Sequence, residues 1–321
     1  MRKLILLLTA LMLLLQPFAL ASELPAAETD APKLKVVATI FPQYDFIREI
    51  AGDRVELTML LKPGAETHSY EPSPQEILSI QKCDLFVFVG GESDAWVRTI
   101  LDGAPSDTRR DIALMDLVSL TEAEAHDHEH DEAHEVLSGH NHQEYDEYDE
   151  HVWTSPINAM HIVSALCEAL CEADAANAEF YRANTESYLA DLTALDAEIR
   201  EIIDTSAKKP LVFGDRFPLT YFVKEYNLSY HAAFPGCASE SEPSASTITQ
   251  LMFTIMRERI PVVFYIELSS HQVADILAEQ TKVETRLFYT CHNVSADDFA
   301  AGLGYLDMMK MNLESLKLAL N

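Results

Sequence analysis

Between residues 35 and 117, short apolar runs alternate with stretches in which apolar residues recur at helical spacing. The runs at 35–40, 55–61 and 84–89 predict strands, and a fourth strand is expected over 112–117. Helical spacing falls on 44–50, 72–81 and 95–101. The alternation returns after residue 209. Strands are expected there over 210–213, 229–234, 261–268 and 285–289, and helices over 219–226, 247–259, 271–280 and 306–320. Strands that alternate with helices predict parallel βαβ units, so the expected class is α/β with two lobes built on parallel sheets.

Two stretches break this rhythm. Residues 158–209 contain neither Gly nor Pro, and Phe180, Tyr181, Tyr188, Leu189, Leu192, Leu195, Ile199 and Ile202 recur there at helical spacing. With Asn177 as N-cap, one helix is expected over 177–204. At 1.5 Å per residue it would span about 40 Å, enough to bridge two lobes as a stiff strut. Residues 118–150 contain no Lys or Arg and alternate acids with His126, His128, His130, His134, His140 and His142. Such a stretch cannot bury a core and is expected to be a solvated, disordered loop.

The N-terminus reads as an export signal. Arg2 and Lys3 precede twelve apolar residues, fewer than the roughly 20 that span a bilayer, and Ala19-Leu20-Ala21 fits a cleavage site. The expected organisation is a signal peptide at 1–21, a first lobe at 33–176 containing the His/acid-rich loop 118–150, a linker helix at 177–205 and a second lobe at 206–321. The mature protein is expected outside the cytoplasm, in a periplasm or at the cell surface. The chain has 321 residues and a net charge of -29, which disfavours nucleic acid and suits cations. Its five cysteines leave at least one unpaired, and Cys167 and Cys171 read as small buried apolar residues.

Two loops carry candidate chemistry. His68 lies in PGAETHSYEP after a strand, and His151 lies in DEHVWTSP, rimmed by carboxylates and leading into a helix. In α/β sheets, ligands gather at the carboxyl ends of strands. Neutral imidazole is a good zinc ligand, and a neighbouring carboxylate can orient the ring. Gly90-Gly91 after a strand reads as a turn. Walker, HExxH and GxSxG motifs are absent.

At this point the chain resembles the metal-specific solute-binding proteins of ABC importers, the zinc and manganese cluster. The resemblance runs from about residue 35 to the C-terminus. It rests on VVATIFPQYDFIREIAGD, the His68 loop, DEHVWTSP, the strut helix, EPSA at 242–245 and the closing YLDMMKMNLESLKLAL. It implies two (β/α) lobes joined by a rigid helix, with one metal in the cleft and His68 and His151 as the first lobe's ligands. The usual third-ligand position falls on Arg216, a permanent cation that cannot ligate, so that ligand is either missing or replaced by Asp215 from one residue earlier. The fourth falls on His292, which becomes the second lobe's expected ligand. Glu267, at the end of an apolar run, is expected either to ligate or to neutralise Arg216.

The resemblance further implies zinc as cargo, with manganese as the alternative ion. It implies a membrane permease as partner, a monomeric non-enzyme, and a disulfide between Cys237 and Cys291. A secreted zinc hydrolase and a metal-buffering adhesin are the alternatives.

Overall fold

A computed structural model describes residues 32–65, 70–122, 148–234 and 243–321. Its first sheet contains β1 (Leu34–Ala38), β2 (Val55–Met59), β3 (Leu85–Phe88) and β4 (Arg110–Ala113), all parallel, in the order β2-β1-β3-β4. The second contains β5 (Leu211–Phe213), β6 (Tyr230–Ala232), β7 (Val262–Tyr265) and β8 (Glu284–Leu287), again parallel, in the order β6-β5-β7-β8. Each sheet therefore reverses direction at one place, between β1 and β3 and between β5 and β7. Those are the crevices where ligands bind in open α/β sheets.

Helices cover these sheets. The first lobe supplies α1 (Phe41–Ala51), α2 (Pro74–Lys82), α3 (Ala95–Gly103) and α4 (Pro156–Ala173). After the strut α5 (Ala178–Asp204) come α6 (Thr220–Glu225), α7 (Ala245–Glu258), α8 (Gln272–Thr281), α9 (Ala296–Ala300) and α10 (Tyr305–Leu320). Capping starts several of them: Ser73, Ser155, Ser244 and Ser295 each accept a backbone N–H three residues on.

The strut buries Tyr181, Thr185, Tyr188, Leu192, Leu195, Ile199 and Ile202, a stripe with steps of three and four. That stripe packs on α1, α4 and α10. Asn177 does not cap it as expected. One 3-10 turn, Ala175–Asn177, leads directly into the helix, and the Asn177 amide donates to Asp174 instead, 2.7 Å away. The strand expected over 112–117 also ends early, at Ala113. Leu114 and Met115 are both buried, and Leu114–Leu117 winds into a 3-10 turn.

Alternation along the central strands sorts the core. Leu85, Val87, Leu211, Phe213, Val262 and Phe264 join one apolar cluster that also takes in the strut and α10. Phe86 and Val212 with Val263 point to the opposite faces, where two smaller clusters lie under the outer helices. The two sheets thus share their main core, and residues 33–321 form one compact unit.

Candidate metal centre

Both reversal points are braced by a buried carboxylate. In the first lobe Asp94 accepts the Val89 N–H just past β3 and a weaker bond from Thr39 just past β1. Burial lifts its pKa to about 7, with the Glu150 charge adding to the rise and backbone bonds opposing it. In the second lobe Asp215, just past β5, accepts the Ile266 N–H beyond β7 at 3.2 Å, the Arg216 N–H at 2.8 Å and the Ser269 hydroxyl. Gly214 precedes it because a Cβ there would lie 2.4 Å from the Ala274 backbone. Asp215 is buried and bound by loop donors on both oxygens.

His151 is reached through a short segment before α4. Asp149 Oδ1 accepts the His151 backbone N–H at 2.8 Å and lies 2.9 Å from ring Nδ1. Burial pushes the Asp149 carboxyl up, but the His151 charge and bonds from His151 and Thr220 outweigh it and hold the pKa low. A carboxylate on Nδ1 fixes the ring, so a metal bound by His151 would be met at Nε2. Glu150 anchors the next position, taking the Ser93 N–H at 3.0 Å and its hydroxyl at 2.8 Å. Gly91 makes room for it, since a Cβ would sit 2.3 Å from Glu150 Oε2.

His292 comes from the loop between β8 and α9. Its ring lies 5.0 Å from that of His151, centroid to centroid, at 84°. Trp153 touches both rings, at 5.5 and 5.2 Å. Its indole N–H donates to Thr290 O at 3.0 Å, and its carbonyl accepts the Tyr305 hydroxyl at 2.8 Å. More bonds cross between the lobes nearby: Gly64 N to Val294 O at 2.8 Å, Asn293 Nδ2 to Ala65 O at 2.6 Å, and Tyr221 Oη to Asp149 O at 2.8 Å. Glu267, two residues past β7, accepts Thr290 N at 2.8 Å, Thr290 Oγ1 at 2.6 Å and His292 N at 3.0 Å. Burial raises its pKa, against the pull of those Thr290 bonds and the His292 charge.

Of the expected residues, the structure therefore brings His151 and His292 together, with Glu267 under the His292 backbone. Asp215 is engaged at the β5–β7 crevice. His68, the six loop histidines and Cys237 lie outside the described residues. Cys291 is a fully buried free thiol, so no bond to Cys237 is seen. Among the described residues no three His, Cys, Asp or Glu side chains converge on one point, and no helix is long and apolar enough to cross a membrane. Trp153 was missed as a site residue. The only sequence signal for it is its place two residues after His151.

Comparison with known proteins places the fold. Residues 36–319 match the family model described as zinc-uptake complex component A, periplasmic. The high-affinity zinc uptake system protein ZnuA of Bacillus subtilis is 30% identical over 292 residues, covering 91% of this chain and 89% of that protein. The zinc-binding lipoprotein AdcA of Streptococcus pneumoniae is 29% identical, and the match spans only 55% of its length. Among solved structures, the Zn(II)-bound ZnuA-like domain of that AdcA superposes with a TM-score of 0.72 at 26% identity, covering 90% of this chain and 99% of the domain. The metal-dependent lipoprotein YcdH of Bacillus subtilis gives 0.73 at 29%, with the same coverage. With its paired α/β lobes and facing histidines, this chain belongs to the zinc-uptake complex component A family.

Proposed function

We propose that the chain is an exported, monomeric solute-binding protein that captures one divalent metal ion, zinc first, and hands it to the membrane permease of an ABC importer. The observation that carries this reading is the approach of His151 and His292 from different lobes to a ring separation of 5.0 Å, with Nδ1 of His151 already held by Asp149. Two imidazoles at that spacing can both reach one ion at the roughly 2.1 Å typical of zinc. His68 is proposed as a third ligand. Its loop begins at Gly64 and Ala65, whose backbones are bonded to Val294 and Asn293, next to His292. A shell of three imidazoles favours zinc over manganese, which prefers oxygen.

The other carboxylates have supporting parts in this reading. Asp215 and Glu267 hold backbone around the site, each accepting three bonds from its own lobe. The histidines of 126–142 are proposed to raise the local metal concentration through weak, exchanging contacts. Capture and release make and break only metal–ligand bonds and leave the cargo chemically unchanged, so no catalytic role is assigned to any residue.

Native mass spectrometry of the mature protein with zinc and manganese in competition tests the reading. One tightly retained zinc ion per chain is expected. Equal retention of both metals, or none, overturns the assignment of zinc as cargo.

A further inference from the structure

His292 is presented by a backbone that would not hold its shape unaided. Cys291, the residue before it, has φ +58°, in the left-handed region that costs a side-chain-bearing residue conformational energy. Such a conformation persists only where its surroundings over-determine it. Here the N–H groups on either side of Cys291, those of Thr290 and His292, both point at one carboxylate, Glu267, at 2.8 and 3.0 Å. The Thr290 hydroxyl adds a third bond at 2.6 Å. A concave turn of converging N–H groups is an anion site, and in this turn the anion is a side chain of the same lobe.

The turn is also gripped from the other side. Thr290 O accepts the Trp153 indole N–H from the first lobe at 3.0 Å. Thr290, Cys291, His292 and Asn293 are all buried, so these groups lack water as an alternative partner. A carboxylate has about four acceptor sites, and three of those on Glu267 are used by this turn.

We propose that Glu267 is a positioning residue for metal capture: by binding the N–H groups flanking left-handed Cys291, it holds the 290–292 turn in the one shape that faces the His292 ring toward His151. The inference rests on the reading of His292 as a ligand, and it assigns Glu267 to the backbone instead of the metal. If Glu267 were a ligand, its loss would matter whether or not His292 were present. As a positioning residue it matters only through His292.

A double-mutant cycle on the full mature chain separates these roles, with zinc affinity read by competition against a fluorescent chelator. His292→Ala measures the ligand, and Glu267→Ala is expected to weaken zinc binding by about 10–100-fold. In the His292→Ala background, Glu267→Ala should cost almost nothing further. The cobalt(II)-loaded double variant should keep the visible absorption bands of His292→Ala alone. Parent-like affinity of Glu267→Ala, a full additive loss in the cycle, or double-variant cobalt bands that differ from those of His292→Ala would each overturn the proposal. If Glu267→Ala does not fold by circular dichroism, Glu267→Gln carries the same cycle, because an amide cannot accept from both N–H groups at once. A His292→Ala protein that binds zinc like the parent would instead defeat the ligand reading itself.

Discussion

The two lobes have the same strand order and brace their reversal points in the same way, yet they hold their histidines differently. In the first lobe the neighbouring carboxylate, Asp149, contacts the His151 ring. In the second, Glu267 bonds the backbone on which His292 stands and the Thr290 hydroxyl. One arrangement sets which ring nitrogen is offered, and the other sets where the ring is. Trp153 joins them, lying against both rings while bonded to Thr290 and Tyr305. The comparison suggests that one ligand is tuned locally while the other is aimed by a turn whose geometry depends on both lobes.

The largest expected break of this comparison is His151→Ala, which removes a ring and strands the Asp149 charge in a buried site. Zinc affinity should fall by at least about 100-fold in a chelator competition, with His292→Ala comparable. Asp149→Asn comes next. It keeps the shape but lets the His151 ring rotate or change tautomer, and a loss of about 10–100-fold is expected. Isothermal titration would check it, and an unchanged affinity would show that the ring needs no orienting partner. Trp153→Phe keeps an aromatic ring between the histidines and loses only the bond to Thr290. One net hydrogen bond corresponds to about 1 kcal/mol, so a loss of a few-fold is expected. It should appear mainly as a faster zinc off-rate in stopped flow.

The smallest expected effect on metal binding lies farther out, at the frame. Asp45 on α1 is buried, lies 2.6 Å from Arg48 and accepts the Tyr305 N–H at 2.7 Å at the start of α10. Burial raises its pKa to about 6, against the pull of Arg48 and the Tyr305 bond. A carboxyl whose folded pKa is raised binds its proton more tightly when folded. Its contribution is therefore complete below about pH 4 and is lost as pH rises through about 6. Relative to Asp45→Asn, the parent should lose on the order of 3 kcal/mol of stability over that range. Thermal melts of both proteins at pH 4 and 7 would test the sign, and a parallel pH dependence of the two would refute it.

The legible part of this molecule was the part with local causes. Apolar runs and helical spacing depend on residues within a few positions of one another, and the strands, the strut and the site loops followed from them. Where local pattern failed, a neighbour had intervened. The strand expected to include Leu114 and Met115 stops at Ala113 and gives way to a 3-10 turn, and Asn177 looked like a cap until Asp174 took its amide. His151 could be picked out because its carboxylate partner sits two residues away.

His292 could be placed only through a resemblance, and its meeting with His151 spans 141 positions of chain. The part of Glu267 could not be read at all. A carboxylate at the end of an apolar strand looks the same in sequence whether it faces a metal or a peptide N–H. Only the folded chain decides, because the acceptor sites of Glu267 are claimed by a turn 23 residues later. Sequence by itself determined the elements and the chemistry available to them. Tertiary structure decided which of those groups bind backbone and which remain turned toward the cleft.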